Sequence, residues 1–326
     1  MSDHADTRHP ARVVLATIAA FASGIGVATQ SRINGQLGAE LGDGFVAAFL
    51  SFGSGLVILA IATLFVRDAR RGVGRVLRAV GQGRMPWWFL LGGAAGGFFV
   101  LTGSLLIGLI GVALFTVGVV AGQIVSSVVI DRNGFGTMGP KPLTVARVLG
   151  AILALAGVVL AVSGQLRTDV PWWLLVVPVV VGLGVGFQQA ANGQVRAAAE
   201  SALAATLGNF VVGTALLTVA LLVHLLFASW PTHFPESPLL YLGGVVGTVF
   251  IGTQVLVVRI TGLLVLGLAI LSGQLAAAVL FDLLLPIPGH EFVVTSAIGA
   301  AVTLIAVVIA IVPGRGARGS SGSPSR

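Results

Sequence analysis

Residues 24–38 read GIGVATQSRINGQLG, and residues 184–196 read GVGFQQAANGQVR. Each stretch ends an apolar run in a series of amide side chains, and a shift of 158 residues aligns the two without a gap. The identical pairs are Gly24/Gly182, Gly26/Gly184, Gln30/Gln188, Asn34/Asn192, Gly35/Gly193 and Gln36/Gln194. The match indicates that the chain contains one structural unit twice.

The similarity continues beyond these stretches. At the same shift, Phe52 aligns with Phe210 and Gly55 with Gly213. At a shift of 151, the identical pairs are Gly92/Gly243, Gly93/Gly244, Gly96/Gly247, Thr102/Thr253, Gly111/Gly262, Gly122/Gly273, Gln123/Gln274 and Asp131/Asp282. At a shift of 149, Gly150 aligns with Gly299. The repeats therefore cover most of the chain.

The composition is that of a membrane protein. The 326 residues are 56% hydrophobic and 9% charged, with a mean hydropathy of +1.04. A soluble domain carries about 25% charged residues. Here the apolar residues form long uncharged blocks, which is the transmembrane pattern. We expect an all-α, multi-pass protein of the cytoplasmic (inner) membrane, with the lipid bilayer as its surroundings and a monomeric or homodimeric assembly.

Because about 20 apolar residues cross a bilayer as a helix, the apolar blocks predict ten transmembrane helices. They are 13–36, 45–66, 87–107, 111–130, 145–163, 172–193, 202–227, 239–258, 262–284 and 292–312. Asp43 and Ser201 are suited to cap the second and seventh helices. Prolines separate several of the others.

The charges predict the orientation. With both termini in the cytoplasm, sixteen of the eighteen Lys and Arg residues lie inside, and only Arg32 and Arg167 lie outside. This is the positive-inside pattern, so the net charge of +7 indicates topology rather than nucleic-acid binding. One alternative start is a secretory signal cleaved after Ala20-Phe21-Ala22, which would remove the first helix.

Five helices per unit is an odd number, so the second unit enters the membrane upside down. We expect two inverted five-helix repeats, at 13–166 and 167–312, between a cytoplasmic tail at 1–12 and a disordered cytoplasmic tail at 313–326. Inverted repeats are common in secondary transporters, where the two halves exchange conformations and alternate access to a central site. The Arg-rich loop 67–84 sets topology or binds anionic lipid.

These features resemble the drug/metabolite transporter superfamily and, within it, the YdcZ-like family of inner-membrane transporters. The resemblance rests on the Q-x-x-x-N ending of the first helix, AAFLSFGSG (47–55), AGQIVSSVVIDRNGFG (121–136) and RVLGAILALAGVVLAV (147–162). The second half keeps Gly273, Gln274 and Asp282 but continues as LLLPIPGH. Many members of that family are single five-helix units, and this chain resembles a fused pair. The resemblance implies a ten-helix bundle with a central cavity and solute transport, without defining a substrate.

Several polar residues lie within the predicted helices. Gln123 and Gln274 lie near the middles of the fourth and ninth helices, where they either face a central cavity or hold helices together. Gln30 and Asn34 share one helical face, as do Gln188 and Asn192. Both of these pairs lie near helix ends, so they suit gates or vestibules, or helix capping. We take all six amides as candidate substrate-binding residues.

Three charged residues are further candidates. Arg32 is either a vestibule charge or the partner of Glu40 or Asp43. Asp131 and Asp282 lie at the ends of the fourth and ninth helices, where they either couple transport to protons or bind local backbone. No carboxylate lies at the centre of a predicted helix. In small multidrug resistance relatives the first helix carries a glutamate for cation/proton exchange, so its absence here disfavours a lipophilic-cation substrate.

The absence of recognisable catalytic motifs argues against an enzyme. The chain has no cysteine, and H-E-x-x-H, G-x-S-x-G and Walker A sequences are absent. We expect no catalytic residue, metal or cofactor, and no nucleic-acid partner. The predicted function is secondary transport of an unidentified small solute by alternating access, with export as one direction. A small-solute channel and a membrane scaffold are the alternatives.

Overall fold

A computed structural model describes residues 10–133, 145–163, 171, 174, 176–285 and 294–311, and all regular structure in these residues is helical. The helices are α1 (Pro10–Leu41), α2 (Gly44–Phe65), α3 (Arg67–Gly81), α4 (Gly92–Ile110), α5 (Val112–Asn133), α6 (Val145–Ser163), α7 (Val177–Ala199), α8 (Ala202–His224), α9 (Gly243–Leu284) and α10 (Val294–Ile311). Short 3-10 turns, Trp87–Leu91 and Pro238–Tyr241, precede α4 and α9. Most of the two expected tails lies outside the described residues.

Five helices in the described part of the chain are long and apolar enough to cross a membrane. They are Ala11–Leu41, Gly44–Phe65, Trp87–Ile110, Val112–Ile130 and Ala202–His224. Shorter apolar helices are Val148–Ala161, Ala269–Leu284 and Val294–Ile309. The chain is therefore a helical membrane protein, and the count of ten crossings with both termini inside stays a prediction.

The predicted helix caps are present. The Asp43 carboxylate accepts hydrogen bonds from the backbone N–H groups of Phe45 and Val46, and α2 begins there. Ser201, at the equivalent repeat position, accepts from the backbone N–H of Ala204 at the start of α8. These side chains satisfy N–H groups that a helix start would otherwise leave unpaired.

The Arg-rich segment 67–84 was predicted as a loop. That prediction is wrong, because α3 occupies most of the segment. The small and apolar side chains of Ala69, Gly72, Val76 and Ala79 recur at helical spacing and are buried. They pack on α7 and α8, while most of the arginines point to the opposite face. A helix that lies on the bundle with one buried face explains why the segment is ordered.

The helical run α9 contains a reversal of chain direction. Gly243, at its start, accepts a hydrogen bond from Gln30 of α1, and Leu285, just past its end, accepts one from Arg32 of α1. A straight 42-residue helix would be about 63 Å long, so its two ends could not meet neighbouring turns of α1. The first part of α9 thus runs antiparallel to α1 and the last part parallel to it, as expected for helices at 239–258 and 262–284.

The corresponding reversal in the first repeat lies between α4 and α5, at Gly111. Its φ of +78° is open to glycine and unfavourable for other residues. Residues 103–107 of α4 contact the end of α1. After the reversal, α5 runs parallel to α7.

Glycines bring the paired helices into backbone contact. A Cβ at Gly182 of α7 would overlap the Val119 carbonyl oxygen of α5, and a Cβ at Gly122 of α5 would overlap the Val179 carbonyl oxygen of α7. The repeat-equivalent glycines, Gly24 and Gly273, make the same kind of crossing between α1 and the last part of α9. The same helix crossing thus occurs once per repeat.

The two repeats meet at an aromatic pair. Phe52 of α2 and Phe210 of α8 occupy equivalent repeat positions, and their rings stack with centroids 4.7 Å apart. Each ring packs on the glycine of the other repeat, Gly213 or Gly55. A residue that contacts its own counterpart lies on the axis that relates the two halves.

Candidate functional site

A chain of amide hydrogen bonds joins α7 and α8. Gln188 Nε2 donates to Asn209 Oδ1 at 3.1 Å, and Asn209 Nδ2 donates to Asn192 Oδ1 at 2.7 Å. The glycine face of α4 covers this cluster, since a Cβ at Gly96 would overlap the Gln188 amide. Gln188 and Asn192 were predicted as a pair on one helical face, and the structure brings them together through a third residue, Asn209.

The first repeat builds the equivalent cluster between α1, α2 and α9. Gln30 Nε2 donates to the Gly243 carbonyl oxygen at 2.8 Å. Asn34 and Ser51 are almost fully buried, at 1% and 3% exposure. Neither Asn34 Oδ1 nor Ser51 Oγ has a hydrogen-bond partner, and a Cβ at Gly243 would lie against both atoms. This cluster therefore has unsatisfied hydrogen-bonding capacity.

The two clusters differ at one position. Ser51 and Asn209 are equivalent at the shift of 158, and both lie beside the axial phenylalanines. Asn209 completes its cluster with two hydrogen bonds, whereas the shorter Ser51 leaves Asn34 Oδ1 unpaired. Sequence reasoning missed both residues. A polar residue recurring in the second helix of each repeat was the available signal.

The two amide clusters lie toward opposite ends of the bundle, as the contacts at the two ends of α4 show. Its first residues, Gly92 and Gly96, contact the second-repeat cluster. Its last turns, around Ser104 and Ile107, contact Gly35 and Gly38 at the end of α1. At 1.5 Å per residue, the two sets of contacts lie about 18 Å apart along α4. The packing is therefore inverted, as the odd number of helices per unit requires.

Gln123 and Gln274 lie deep in the bundle. Gln123 is 7% exposed and accepts a hydrogen bond from Gln189 of α7 at 3.1 Å; Gln274 is 3% exposed and lies where α9 crosses α1. The start of α5 meets the end of α9 at Asp282. At 1.5 Å per residue from this contact, Gln123 lies about 16 Å along α5 and Gln274 about 12 Å back along α9. Both are at mid-depth, and each lies at its own helix crossing.

Asp282 joins the two repeats. Its carboxylate accepts hydrogen bonds from the backbone N–H groups of Val112 at 3.1 Å and Ala113 at 2.8 Å. Asp282 was expected to bind local backbone. The backbone groups that it binds are not local: they belong to the first turn of α5, in the other repeat, next to the reversal at Gly111.

Arg32 contacts the end of α9. Its guanidinium donates to the Leu285 carbonyl oxygen, lies 5.7 Å from the Phe281 ring centroid and is attracted by the Asp282 carboxylate. The expected acids are engaged elsewhere: Glu40 accepts from Gln36, and Asp43 caps α2. A cation at a helix C-terminus is favoured by the carbonyl groups exposed there. The backbone at Asp131 belongs to α5, and its side chain lies outside the described residues.

Two equivalent apolar clusters lie toward opposite ends of the bundle. The Leu37 cluster consists of Leu37, Leu41, Val46, Ala47, Leu221 and Leu240. The Val195 cluster consists of Val76, Ala79, Met85, Phe89, Ala191, Val195, Ala199, Ala204 and Ala205. Five members correspond at the repeat shifts, as 37/195, 41/199, 46/204, 47/205 and 240/89. Each cluster packs beyond an amide cluster on the side of a helix-to-helix turn, so it has the position of a gate.

A basic cleft of about 530 Å³ opens beside the Val195 cluster. Its charged and polar lining comes from Arg75, Arg78, Arg84, Gln194 and Glu200. Phe89 and Met85 supply apolar surface. Within the residues that the structure describes, no group of three or more His, Asp or Glu side chains is arranged to hold a metal ion.

Comparison with known protein families identifies a match over most of the chain. The family model described as "Putative inner membrane exporter, YdcZ" matches the chain twice, at residues 15–160 and 172–309. The two matches coincide with the two repeats. No curated protein matches the chain.

Proposed function

The chain belongs to the YdcZ family of inner-membrane exporters, and on this premise we propose that it is a secondary transporter that moves a small solute outward by alternating access. It is a multi-pass protein of the inner membrane. We further propose ten crossings with both termini in the cytoplasm, and no enzymatic activity.

The observation that carries the proposal is the pairing of polar and apolar layers. Each repeat has an amide cluster followed by an apolar cluster, and inversion puts the two sets toward opposite ends. Two equivalent structures at opposite ends can exchange their conformations, which opens one end as the other closes. A static channel would need both ends open at once.

The amides supply the solute contacts in this proposal. Gln123 and Gln274 hold the solute at mid-depth, while Gln30, Asn34, Gln188 and Asn192 receive it at the two ends. Asn34 Oδ1 and Ser51 Oγ are suited to this role because they are buried and without protein partners. An amide-lined path favours a polar solute whose donors and acceptors replace lost water contacts.

Uptake into proteoliposomes tests the function. A thermal-shift screen of small metabolites against the purified chain would first provide a solute. Flux of that solute should saturate with concentration, and Gln123→Leu and Gln274→Leu should each reduce it at least tenfold without loss of folding. Gln36→Leu is the matched control, because Gln36 is exposed and its side-chain amide donates to Glu40 on the same helix. Normal flux in both buried variants would reject the mid-depth site, and non-saturating flux would favour a channel.

A further inference from the structure

The basic cleft lies between segments of the two repeats. Arg78 and Arg84 belong to the connection from α2 to α4 in the first repeat. Gln194 lies near the end of α7 in the second repeat, and Glu200 follows that helix. A molecule bound in the cleft therefore contacts both repeats at once.

Helix α3 sorts the arginines of the segment 67–84 into two sets of equal size. Because the buried face of α3 packs on α7 and α8, the direction of each arginine is set by its place on the helix. The set that lines the cleft is Arg75, Arg78 and Arg84, and the set that does not is Arg67, Arg70 and Arg71. The positive-inside rule counts charges in a connection and does not require three of them to converge on one cleft.

Two positive charges of the cleft have no carboxylate partner among the described residues. Arg75 is engaged, because its Nε donates to the Ala199 carbonyl oxygen at 2.8 Å and lies 3.6 Å from the Glu200 carboxylate. Arg78 Nε donates to a carbonyl oxygen one turn back in α3 at 3.2 Å. Within the described part of the chain, the Arg84 guanidinium has no hydrogen-bond or ion-pair partner. Glu200 thus offsets Arg75, and the charges of Arg78 and Arg84 are left for a ligand.

The equivalent surface at the other end of the bundle has the opposite charge. At the repeat shifts, Glu236 stands where the cleft has Met85, and Glu40 stands where it has Ala198. The connection 225–237 contains no helix corresponding to α3. The basic cleft is therefore a property of one end and not a consequence of the repeated fold.

We propose that the basic cleft is a binding site for a phosphate monoester, whose anionic group is held by Arg78 and Arg84. A phosphate monoester carries about −1.5 to −2 charges at pH 7, which matches the two unpaired guanidinium groups. Guanidinium groups bind phosphate oxygens through two parallel N–H donors. Met85 and Phe89 supply apolar surface for the rest of the molecule, and a volume of about 530 Å³ suits a small ligand.

Two sources offer this chemistry at the end of the bundle that is cytoplasmic in the proposed N-in orientation. One is a water-soluble phosphorylated metabolite, and the other is phosphatidic acid in the inner leaflet. Because the ligand contacts both repeats beside the Val195 cluster, its binding stabilises the arrangement in which they meet there. The site is additional to the solute path proposed above and does not depend on it.

Phenyl phosphate is the soluble probe, since it joins a phosphate monoester to an apolar ring. Its binding to the purified full chain in dodecylmaltoside is measured by saturation-transfer NMR of the phenyl protons. Binding should saturate, and the double variant Arg78→Gln/Arg84→Gln should raise the Kd at least about tenfold, because two charged hydrogen-bonding groups are lost. The matched control is Arg70→Gln/Arg71→Gln, which removes the same charge from exposed positions of α3 outside the cleft and should change the Kd less than about twofold.

Added lipid distinguishes the two sources. Phosphatidic acid carries a phosphate monoester and phosphatidylcholine does not. Displacement of phenyl phosphate by phosphatidic acid alone would identify the inner leaflet as the source. Phenyl phosphate that stays bound in excess phosphatidic acid would identify a soluble ligand, and both results support the phosphate site.

A second pair of variants keeps the test independent of folding. Arg78→Lys/Arg84→Lys retains both charges but loses the planar donor pairs, so its Kd should rise about twofold to fivefold above that of the wild type, and above that of Arg70→Lys/Arg71→Lys. Equal losses at the two sets of positions, or no saturable binding to the wild type, would overturn the proposal. Because the measurement involves no flux, absence of transport would reject the proposed function and leave the binding site standing.

Discussion

Replacing Asn209 by leucine should destabilise the protein although leucine is the more apolar residue. The side chain accepts a hydrogen bond from Gln188 and donates one to Asn192, both on α7. Interhelical hydrogen bonds in membrane proteins contribute about 0.6 kcal/mol each and up to about 1.7 kcal/mol. Two of them are lost, so we expect a cost of about 1–3 kcal/mol, with Gln188 Nε2 and Asn192 Oδ1 left unpaired.

The measurement is reversible unfolding in dodecylmaltoside micelles titrated with SDS, followed by far-UV circular dichroism. Asn209→Ser is the matched variant, because it installs the residue that the first repeat carries at Ser51 and should cost less than leucine. If the leucine variant unfolds at the same SDS fraction as the wild type, or at a higher one, the amide chain does not hold α7 to α8. The reasoning about both clusters would then fail.

Three other predictions use the same unfolding assay. Gly182→Ala should lower the free energy of unfolding by about 1–3 kcal/mol, because its Cβ would overlap a carbonyl oxygen of α5. The control is Gly184→Ala on the same helix, which meets an ordinary contact and should change stability by no more than about 0.5 kcal/mol. Equal effects of the two variants would contradict the close crossing. Asp282→Ala should cost about 0.5–2 kcal/mol by uncapping α5, and Asp282→Asn should recover much of this; an unchanged midpoint in Asp282→Ala would disprove the cap. Ser51→Ala should be neutral or stabilise by up to about 1 kcal/mol, since its hydroxyl has no partner, while solute flux falls; a marked destabilisation would point to a missed structural contact.

Much of the fold was predictable because the repeat is detectable when the sequence is aligned with itself. The shifts of 158 and 151 residues correctly pair the glycine crossings of α1 with α9 and of α7 with α5. The cap at Asp43 follows from its residue type and its position before an apolar run. Helix α3 was not foreseen, because six arginines in 67–84 conceal the small residues that form its buried face.

The candidate site was less predictable, since it depends on which helices become neighbours. The i, i+4 spacing correctly places Gln188 and Asn192 on one face, but Asn209 lies 17 residues further on. Arg32 was matched with acids close in sequence, and its contacts are with the end of α9, more than 240 residues away. Such partners are set by tertiary packing, which a local pattern does not contain.

The stack of Phe52 on Phe210 has a consequence for the history of the chain. In a dimer of identical five-helix units, a residue on the symmetry axis meets a copy of itself, and its neighbours must be alike on both sides. Covalent fusion removes that constraint. Ser51 and Asn209, next to the stacked rings, have already diverged, as have Val66 and His224. Fusion of the two units therefore allows one repeated surface to become two different ones, and replacing Asn209 by serine would make the two repeats identical again at that position.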